Sequence, residues 1–144
     1  MIRYYVKEGG SIKEVSGINE APWINLFPPF EDGELDEFAH SLGLTSDYFT
    51  DPLDAEERAR YERFDEARSI ILHTPVVNES AKENEAVYIT IPLGIILTQN
   101  KIITVCSVEN PVLDKFLEAR IKGFEPSNER LFILQLMEQN VLHF

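Results

Sequence analysis

Three segments rich in Ile, Val, Thr and Tyr follow one another in the second half of the chain. They constrain the possible folds more than any other feature of the sequence. They are residues 68–74, 87–97 and 101–108. β-Branched and aromatic residues favour strands, and residues 99–101 leave room only for a tight turn between the last two segments. The polar run 78–85 predicts a longer loop between the first two. We therefore expect a three-stranded meander.

The amino-terminal part predicts three further strands. Residues 2–7 and 12–15 flank Gly9-Gly10, a pair that suits the positive φ angles of a tight hairpin turn. Residues 23–27 follow as another apolar segment and end at two consecutive prolines. Proline cannot donate to a strand ladder, so we expect the third strand to end there.

Between the third strand and the meander, the pattern predicts three helical pieces. Residues 31–42 place apolar side chains at i, i+3, i+4 and i+7, with acidic residues on the other side. A short second helix follows, and Pro52 limits it to about two turns. A third piece is predicted over Asp54–Tyr61, with an acidic first turn. Arg58 and Glu62 are four residues apart, so we expect an i,i+4 ion pair.

Two helices are predicted after the meander. Asn110 and Pro111 form a cap and first helical position, and Gly123 is the expected end. The final helix starts at Ser127, and its apolar residues cover a wide arc that requires neighbours on more than one side. One face of it is predicted to carry Leu131, Leu134, Met137 and Val141, and the apolar residues Phe132, Ile133 and Leu136 lie outside that face. No stop signal precedes Phe144, so we expect the sequence to be cut within a longer protein.

Together these segments predict one domain over residues 1–144, since the chain has 44% hydrophobic residues and the length for a single core. The expected fold class is α/β, with a mixed, largely antiparallel central sheet and helices on both faces. The longest apolar segment, 87–97, has about half of the roughly 20 residues that a membrane helix needs. Nothing near Met1 resembles a signal peptide, and Cys106 is predicted to be a buried thiol in a reducing cytosol.

Negative charge is concentrated in residues 31–66. This segment has thirteen acidic residues and three arginines, and so carries −10 of the chain's net −12. Such a field repels nucleic-acid phosphates and anionic membrane surfaces, and it raises the local concentration of cations. We therefore expect no nucleic-acid partner. The alternative is that these acids form a solvated helical face that keeps the domain soluble.

Catalytic motifs are absent from the sequence. The three histidines, His40, His73 and His143, lie on separate predicted elements, and there is no phosphate loop, dinucleotide fingerprint, HExxH or GxSxG. Each histidine is expected to be a packed or solvent-facing imidazole. We therefore expect no enzymatic activity.

Several short motifs occur in an order that resembles the amino-terminal cytoplasmic domain of the CorA family of divalent-cation transporters. The family pattern joins a Trp-Ile-Asp/Asn-Leu strand, a Gly-Ile/Leu turn, an aspartate and an Arg-x-Arg/Lys-x-Glu segment. In this chain the matching residues are Trp23, Ile24, Asn25, Leu26, Gly43, Leu44, Asp51, Arg58, Arg60 and Glu62. The resemblance covers roughly residues 20–110.

This resemblance implies an α/β/α sandwich at the cytoplasmic face of the cell's inner membrane. It implies a homo-pentamer in the full-length protein, whereas the fragment alone is expected to be a monomer or a weak oligomer. The stalk helix, the membrane helices and the pore signature of the family are missing here, so membrane attachment would come only through C-terminal helices outside this sequence.

By the same resemblance, Asp51 corresponds to an aspartate that lines an inter-subunit cation site in some family members. The implied ligand is Mg²⁺, or Co²⁺ or another divalent cation, bound weakly. Mg²⁺ keeps most of its water and accepts one or two carboxylates, so a site shared between subunits needs only one aspartate from this chain. The alternative is that Asp51 simply ends a helix before Pro52, a common turn pair.

The favoured hypothesis is therefore a cytoplasmic regulatory or sensor domain of a CorA-like transporter for magnesium or another divalent cation. The first alternative is a freestanding acidic α/β interaction module without a membrane partner. A small cytosolic enzyme is a third hypothesis, which the lack of a convergent polar cluster disfavours.

Overall fold

The computed structural model describes the whole chain, residues 1–144. It contains seven strands and four helices, with single-turn 3₁₀ helices at Ile18–Glu20 and Asp51–Leu53. The strands are β1 (Ile2–Glu8), β2 (Ser11–Val15), β3 (Trp23–Leu26), β4 (Arg60–Arg63), β5 (Arg68–Val77), β6 (Tyr88–Leu97) and β7 (Ile102–Cys106). The helices are α1 (Glu34–Ser41), α2 (Asp47–Thr50), α3 (Pro111–Leu117) and α4 (Glu129–His143).

All seven strands form one sheet in the order β2-β1-β3-β7-β6-β5-β4. Only β3 and β7 are parallel, with Trp23 opposite Ile102 and Leu26 opposite Val105, and every other pair is antiparallel. The predicted mixed, largely antiparallel sheet is confirmed. The amino-terminal hairpin is also confirmed, and Gly9 and Gly10 have the positive φ angles of 59° and 82° that its turn requires.

The sheet is covered on both faces, which confirms the α/β/α sandwich. Helices α3 and α4 lie over one face, where Phe116 and Phe132 are fully buried against strand residues that include Leu93 and Ile95. Helices α1 and α2 lie over the other face, where Phe38, Ala39, Tyr48 and Phe49 pack against strand residues Ile24, Ile96, Ile103 and Val105. Alternating side chains of β3, β6 and β7 thus contribute to two separate cores.

Trp23 is a central anchor of the α3–α4 face. Its side chain is fully buried and contacts Phe132 edge-on at 5.1 Å between ring centroids. Its indole Nε1 donates to Thr104 Oγ1 at 3.0 Å, and the Thr104 hydroxyl donates to Asn25 Oδ1 at 2.8 Å. The polar atoms of this buried group therefore satisfy one another across the parallel strand pair. Cys106 is also buried, as predicted.

The predicted third helix over Asp54–Tyr61 is wrong. Asp54 Oδ1 accepts a hydrogen bond from the Glu56 backbone N–H at 2.9 Å, but this closes only a turn. From Arg60 onward the chain is strand β4, paired antiparallel with β5. The expected Arg58–Glu62 pair is also wrong, because an extended chain rises about 3.3 Å per residue and so separates residues four apart by about 13 Å. Arg60 pairs with Glu62 instead, at 3.1 Å between Nε and Oε1.

The last two helices also differ from the prediction in their details. Helix α3 ends at Leu117, short of Gly123, and Ala119 then takes a left-handed φ of 57°. Helix α4 is capped by Asn128, whose Oδ1 accepts from the Leu131 backbone N–H at 3.1 Å.

The face of α4 that packs on the core carries Phe132, Leu136 and Asn140. Only part of the predicted apolar arc is buried, since Leu134 and Val141 are 65% and 70% exposed. No helix in the structure has both the length and the apolar character required to cross a membrane.

Candidate functional site

A cavity of about 240 Å³ opens between α2 and the β4–β5 edge of the sheet. Four carboxylates and one guanidinium line it, from Asp47, Asp51, Glu62, Glu66 and Arg60. Hydroxyl groups come from Thr45, Tyr48 and Ser69, and apolar surface comes from Phe64 and Ile71. We call this the acidic cavity. It includes Asp51, the one residue for which the sequence predicts a ligand.

Asp51 reaches the cavity because the turn after α2 packs directly on the sheet. This turn, Asp51–Leu53, contacts β6 at Gly94. A Cβ atom at Gly94 would lie 2.8 Å from Pro52 Cβ and closer still to Pro52 Cγ. Glycine at this position therefore permits the close approach that holds Asp51 at the cavity edge.

Arg60 is the principal partner of Asp51. Its Nη2 lies 3.2 Å from Asp51 Oδ2, its Nη1 donates to Glu57, and its Nε lies 3.1 Å from Glu62 Oε1. One guanidinium thus holds three carboxylates. Burial raises the pKa of Asp51 above its ordinary range, the charge of Glu57 raises it further, and Arg60 partly opposes both effects.

The opposite side of the cavity holds a tyrosine–carboxylate pair. Tyr48 Oη donates to Glu66 Oε1 at 2.9 Å, and the Tyr48 ring contacts Phe64 edge-on at 5.3 Å between centroids. Burial, followed by the hydrogen bond to Glu66, raises the pKa of Tyr48 well above its ordinary value. The phenol therefore stays protonated and remains a hydrogen-bond donor.

Three polar groups of the acidic cavity have no hydrogen-bond partner in the protein, the Thr45 and Ser69 hydroxyls and the Asp47 carboxylate. Ser69 is only 8% exposed and lies beside Ile71 on the cavity side of β5. Asp47 is in the first turn of α2. The cavity thus retains free hydrogen-bonding capacity after its internal pairs are counted.

Asp51 and Glu62 converge on the Arg60 guanidinium, whereas Asp47 and Glu66 have no cationic partner. No group of three or more His, Cys, Asp or Glu side chains is placed to hold a metal ion. One chain therefore offers single carboxylates, such as Asp51, but not a complete set of direct ligands. Such an arrangement fits a hydrated cation shared with other groups better than a chelated one.

The histidines lie apart, on α1, β5 and α4. His73 is in the middle of β5, and its Nε2 lies 2.9 Å from the Glu57 carbonyl oxygen. His40 is in the last turn of α1, and His143 is the last residue of α4.

Sequence reasoning missed most of the cavity. It placed Arg60 and Glu62 on a helix, so the shared ion pairs with Asp51 and Glu57 were not foreseen. The signal for a strand in the sequence was weak, because Tyr61 is the only strand-favouring residue in Arg60–Arg63. No local signal connected Glu66 to Tyr48, because this contact depends on how the connection between β4 and β5 packs against α2.

Comparison with known folds gives several similar structures. The complete CorA magnesium transporter from Methanocaldococcus jannaschii matches with a TM-score of 0.75 and 17% identity, over 99% of this chain and 45% of that one. The soluble domain of the same transporter matches with a TM-score of 0.71 and 19% identity, over 99% of this chain and 56% of that one. The ZntB cytoplasmic domain from Vibrio parahaemolyticus matches with a TM-score of 0.67 and 14% identity, over 96% of this chain and 56% of that one.

This chain therefore spans about half the length of these solved chains. At such identities the likeness shows the fold. No curated protein sequence matches the chain significantly. A family model described as CorA-like Mg²⁺ transporter protein matches residues 19–144, which is most of the chain. The chain belongs to the CorA-like Mg²⁺ transporter family.

Proposed function

We propose that this chain is the cytoplasmic regulatory domain of a CorA-like transporter of divalent cations, with Mg²⁺ as the first candidate for both cargo and regulatory ligand. The observation that carries the proposal is the family match over residues 19–144. The fold supports it, since similar structures include domains described as the soluble or cytoplasmic part of CorA and ZntB. Ion passage would occur in another part of the protein, so we assign no chemical reaction to this domain.

The proposed place of the domain is the cytoplasmic face of the inner membrane, within a homo-pentamer of the full-length protein. The proposal requires that the gene encode two apolar stretches of about 20 residues beyond Phe144, each long enough to span a bilayer. Sequencing the locus tests this directly. A reading frame without such stretches would contradict the proposal.

Chain 1–144 alone is proposed to be a monomer or a weak oligomer. Light scattering with and without millimolar Mg²⁺ measures this. A stable pentamer formed by the isolated chain would show that its own surfaces are sufficient for assembly, against our expectation.

Within this function, Asp51 is proposed to contribute one carboxylate to a cation site between subunits. A bound cation would neutralise facing carboxylates and favour the closed assembly, and its loss would let like charges separate the subunits. This is linkage between ligand binding and conformation. Because Arg60 already holds the Asp51 carboxylate, the cation would have to compete with an internal counter-ion. We therefore expect weak binding.

Calorimetric titration of the full-length transporter with Mg²⁺ tests this role. Asp51→Asn preserves side-chain shape and removes the charge, so we expect lower affinity than in the wild type. Asp65→Asn is the matched control, because Asp65 is exposed and lies outside the acidic cavity. Equal Mg²⁺ affinity for the wild type and Asp51→Asn would remove Asp51 from the proposed site.

A further inference from the structure

We propose that the end of α4, residues 137–143 or about two turns, forms a detachable arm that leaves β5 while the rest of the domain stays folded. We call this segment the α4 arm. The structural basis lies where the arm meets β5. The one buried residue of the arm is polar, and it lies beside a second buried polar side chain, and each has an oxygen without a hydrogen-bond partner.

The two halves of α4 are held on the sheet in different ways. In the first half, Phe132 and Leu136 are buried in the core that α3 and α4 share with the sheet. After Leu136, Asn140 is the only buried residue of the helix, and Val141 and Leu142 are 70% and 69% exposed. Lifting the arm therefore exposes no apolar side chain that is buried in the core. A segment that buries little apolar surface opens at a lower free energy than the core does.

Side-chain hydrogen bonds attach the arm to neighbouring elements at two points. Asn140 Nδ2 donates to the His73 carbonyl oxygen of β5 at 2.9 Å. Lys115 Nζ of α3 lies 3.4 Å from Gln139 Oε1, which is long for a hydrogen bond. Asn140 is therefore the principal attachment of the arm to the sheet.

The docked arm leaves two buried oxygens without a hydrogen bond, Asn140 Oδ1 and Thr74 Oγ1. The two residues are only 6% and 0% exposed. Thr74 stands opposite Ile91 in the antiparallel β5–β6 pair, so it shares the face on which Ile91 joins the core under α3 and α4. A buried oxygen without a partner destabilises the arrangement that buries it, and water supplies the missing hydrogen bonds when the arm lifts. Docking therefore has a cost that release removes.

Release of the arm has a consequence for the full-length protein, and this consequence rests on the proposed function. There the α4 arm connects the sheet to the segments that follow it. An arm docked on β5 fixes the direction in which those segments leave the sheet, and a released arm does not. Release itself is a property of these 144 residues, so its test can fail while the proposed function stands, and the reverse.

The test is native-state hydrogen exchange of the 144-residue chain, followed by ¹H–¹⁵N NMR at several low concentrations of urea. We expect amides of residues 139–143 to be protected about tenfold less than those of residues 133–136, because the arm opens locally. The opening free energy of the arm should be independent of urea, whereas that of the first half of α4 should fall with urea as global unfolding does. Equal protection along the whole helix would overturn the proposal.

Thr74→Val isolates the unpartnered hydroxyl. Valine keeps the shape of the side chain, removes Oγ1 and leaves the sequence of α4 unchanged. Docking then no longer buries that oxygen, so we expect exchange at residues 139–143 to be about fivefold slower. Thr50→Val makes the same change at an exposed position on the other side of the sheet, and it should leave these amides unchanged. Unchanged or faster exchange in Thr74→Val would show that the hydroxyl is satisfied in the docked state and would overturn the proposal.

Asn140→Ala separates release of the arm from ordinary fraying of a helix end. Alanine has a higher helix propensity than asparagine, so fraying alone predicts slower exchange in this variant. The substitution removes the unpaired Asn140 Oδ1 but leaves the His73 carbonyl unpaired, and these two effects offset each other. The loss of the attachment remains, so we expect about fivefold faster exchange at residues 139–143.

Glu138→Ala is the control for this variant, because Glu138 is exposed on the same turn of α4. It should not accelerate exchange in the arm. Amides of the first half of α4 should keep their wild-type protection in both variants, which verifies that the domain remains folded. Exchange in Asn140→Ala that is equal to the wild type or slower would show that Asn140 does not hold the arm, and would contradict the proposal.

Discussion

Arg60 Nη2 lies 3.2 Å from Asp51 Oδ2, so the strand β4 is tied to the turn that follows α2. The same guanidinium also contacts Glu57 and Glu62. The chain thus supplies its own cation at the position where the sequence predicts an external one. Any ligand of Asp51 must compete with this internal ion pair.

Removing the positive charge of Arg60 should strengthen the response to divalent cations. In Arg60→Gln, the three carboxylates that the guanidinium holds lose their counter-ion. We expect a lower melting temperature without added metal, and a larger increase than in the wild type with millimolar Mg²⁺, because a ligand that binds only the folded state stabilises it. Thermal unfolding with and without Mg²⁺ measures both effects.

Arg63→Gln is the control for this prediction. Arg63 lies on the same strand and is exposed, and it makes no ion pair with Asp51, Glu57 or Glu62. Its substitution changes the net charge equally. Similar Mg²⁺-induced increases in melting temperature for Arg60→Gln and Arg63→Gln would contradict the prediction. They would show that the change in net charge causes the increase, and not the three carboxylates around Arg60.

The raised pKa of Asp51 predicts a specific pH dependence of stability. Burial and the charge of Glu57 make the folded state bind a proton at Asp51 more tightly than the unfolded state, whose ordinary value is 3.8. The contribution of Asp51 is then most favourable below 3.8 and is lost as pH rises through the higher folded-state value. Relative to Asp51→Asn, the wild type should lose unfolding free energy over this interval.

Urea unfolding of both proteins from about pH 3.5 upward, across the range in which carboxylates titrate, measures this difference. Subtracting the unfolding free energy of Asp51→Asn from that of the wild type removes, to first order, the contribution of the other acidic residues. The difference in unfolding free energy between the two proteins could instead stay constant or grow in favour of the wild type as pH rises. Either result would show that the effect of Arg60 on the Asp51 pKa outweighs that of burial.

Gly94→Ala should disturb the site through packing. The new methyl group would overlap Pro52 Cβ and Cγ, because a Cβ atom there lies 2.8 Å or less from both. We expect a loss of about 1–3 kcal/mol of unfolding free energy, as for overpacked cores. Amide shifts at Asp51 and Leu53 should accompany it. In the double variant with Pro52→Ala, Cγ is removed and part of the lost unfolding free energy should be recovered. If the effects of the two substitutions on unfolding free energy simply add, the Gly94–Pro52 contact is not the cause.

Thr104→Val tests the buried polar group around Trp23. The substitution keeps the shape of the side chain but leaves the Trp23 indole N–H and Asn25 Oδ1 without their partner. Each buried unsatisfied group costs about 1–3 kcal/mol, so a clear fall in the urea midpoint is expected. Trp23 is the only tryptophan, and its fluorescence reports the transition. Unchanged stability would mean that water replaces the hydroxyl.

Cys106 should be unreactive in the folded protein. Its side chain is 1% exposed, and burial raises the pKa of its thiol, which disfavours the nucleophilic thiolate. We expect Ellman's reagent to react slowly in native buffer and rapidly in denaturant. Rapid native reaction would indicate local opening of the sheet at β7.

Much of the fold followed from local patterns. The turn glycines Gly9 and Gly10, the β-branched segments of the meander, and the Asn110–Pro111 cap all act within a few residues, and each element was confirmed. Residues 54–63 show where this reasoning fails. They carry helix-compatible residues, but Arg60–Arg63 pairs with β5, and a partner strand overrides local propensity.

The same distinction applies to the site. Asp51 was identified from a sequence motif, and that assignment remains a proposal. Its contacts were not predictable, because Arg60 reaches Asp51 only when β4 joins the sheet edge. Likewise, Ser69 becomes a buried cavity residue only when α2 covers β5.

The chain's periodicity, turn residues and charge distribution were sufficient to predict one sheet with helices on both faces and an acidic segment. These properties arise from residues that are neighbours along the backbone. The direction of β3 against β7, the buried face of α4 and the cavity around Asp51 required the assembled domain. They depend on contacts between residues distant in sequence, whose free energy is gained only when those segments meet.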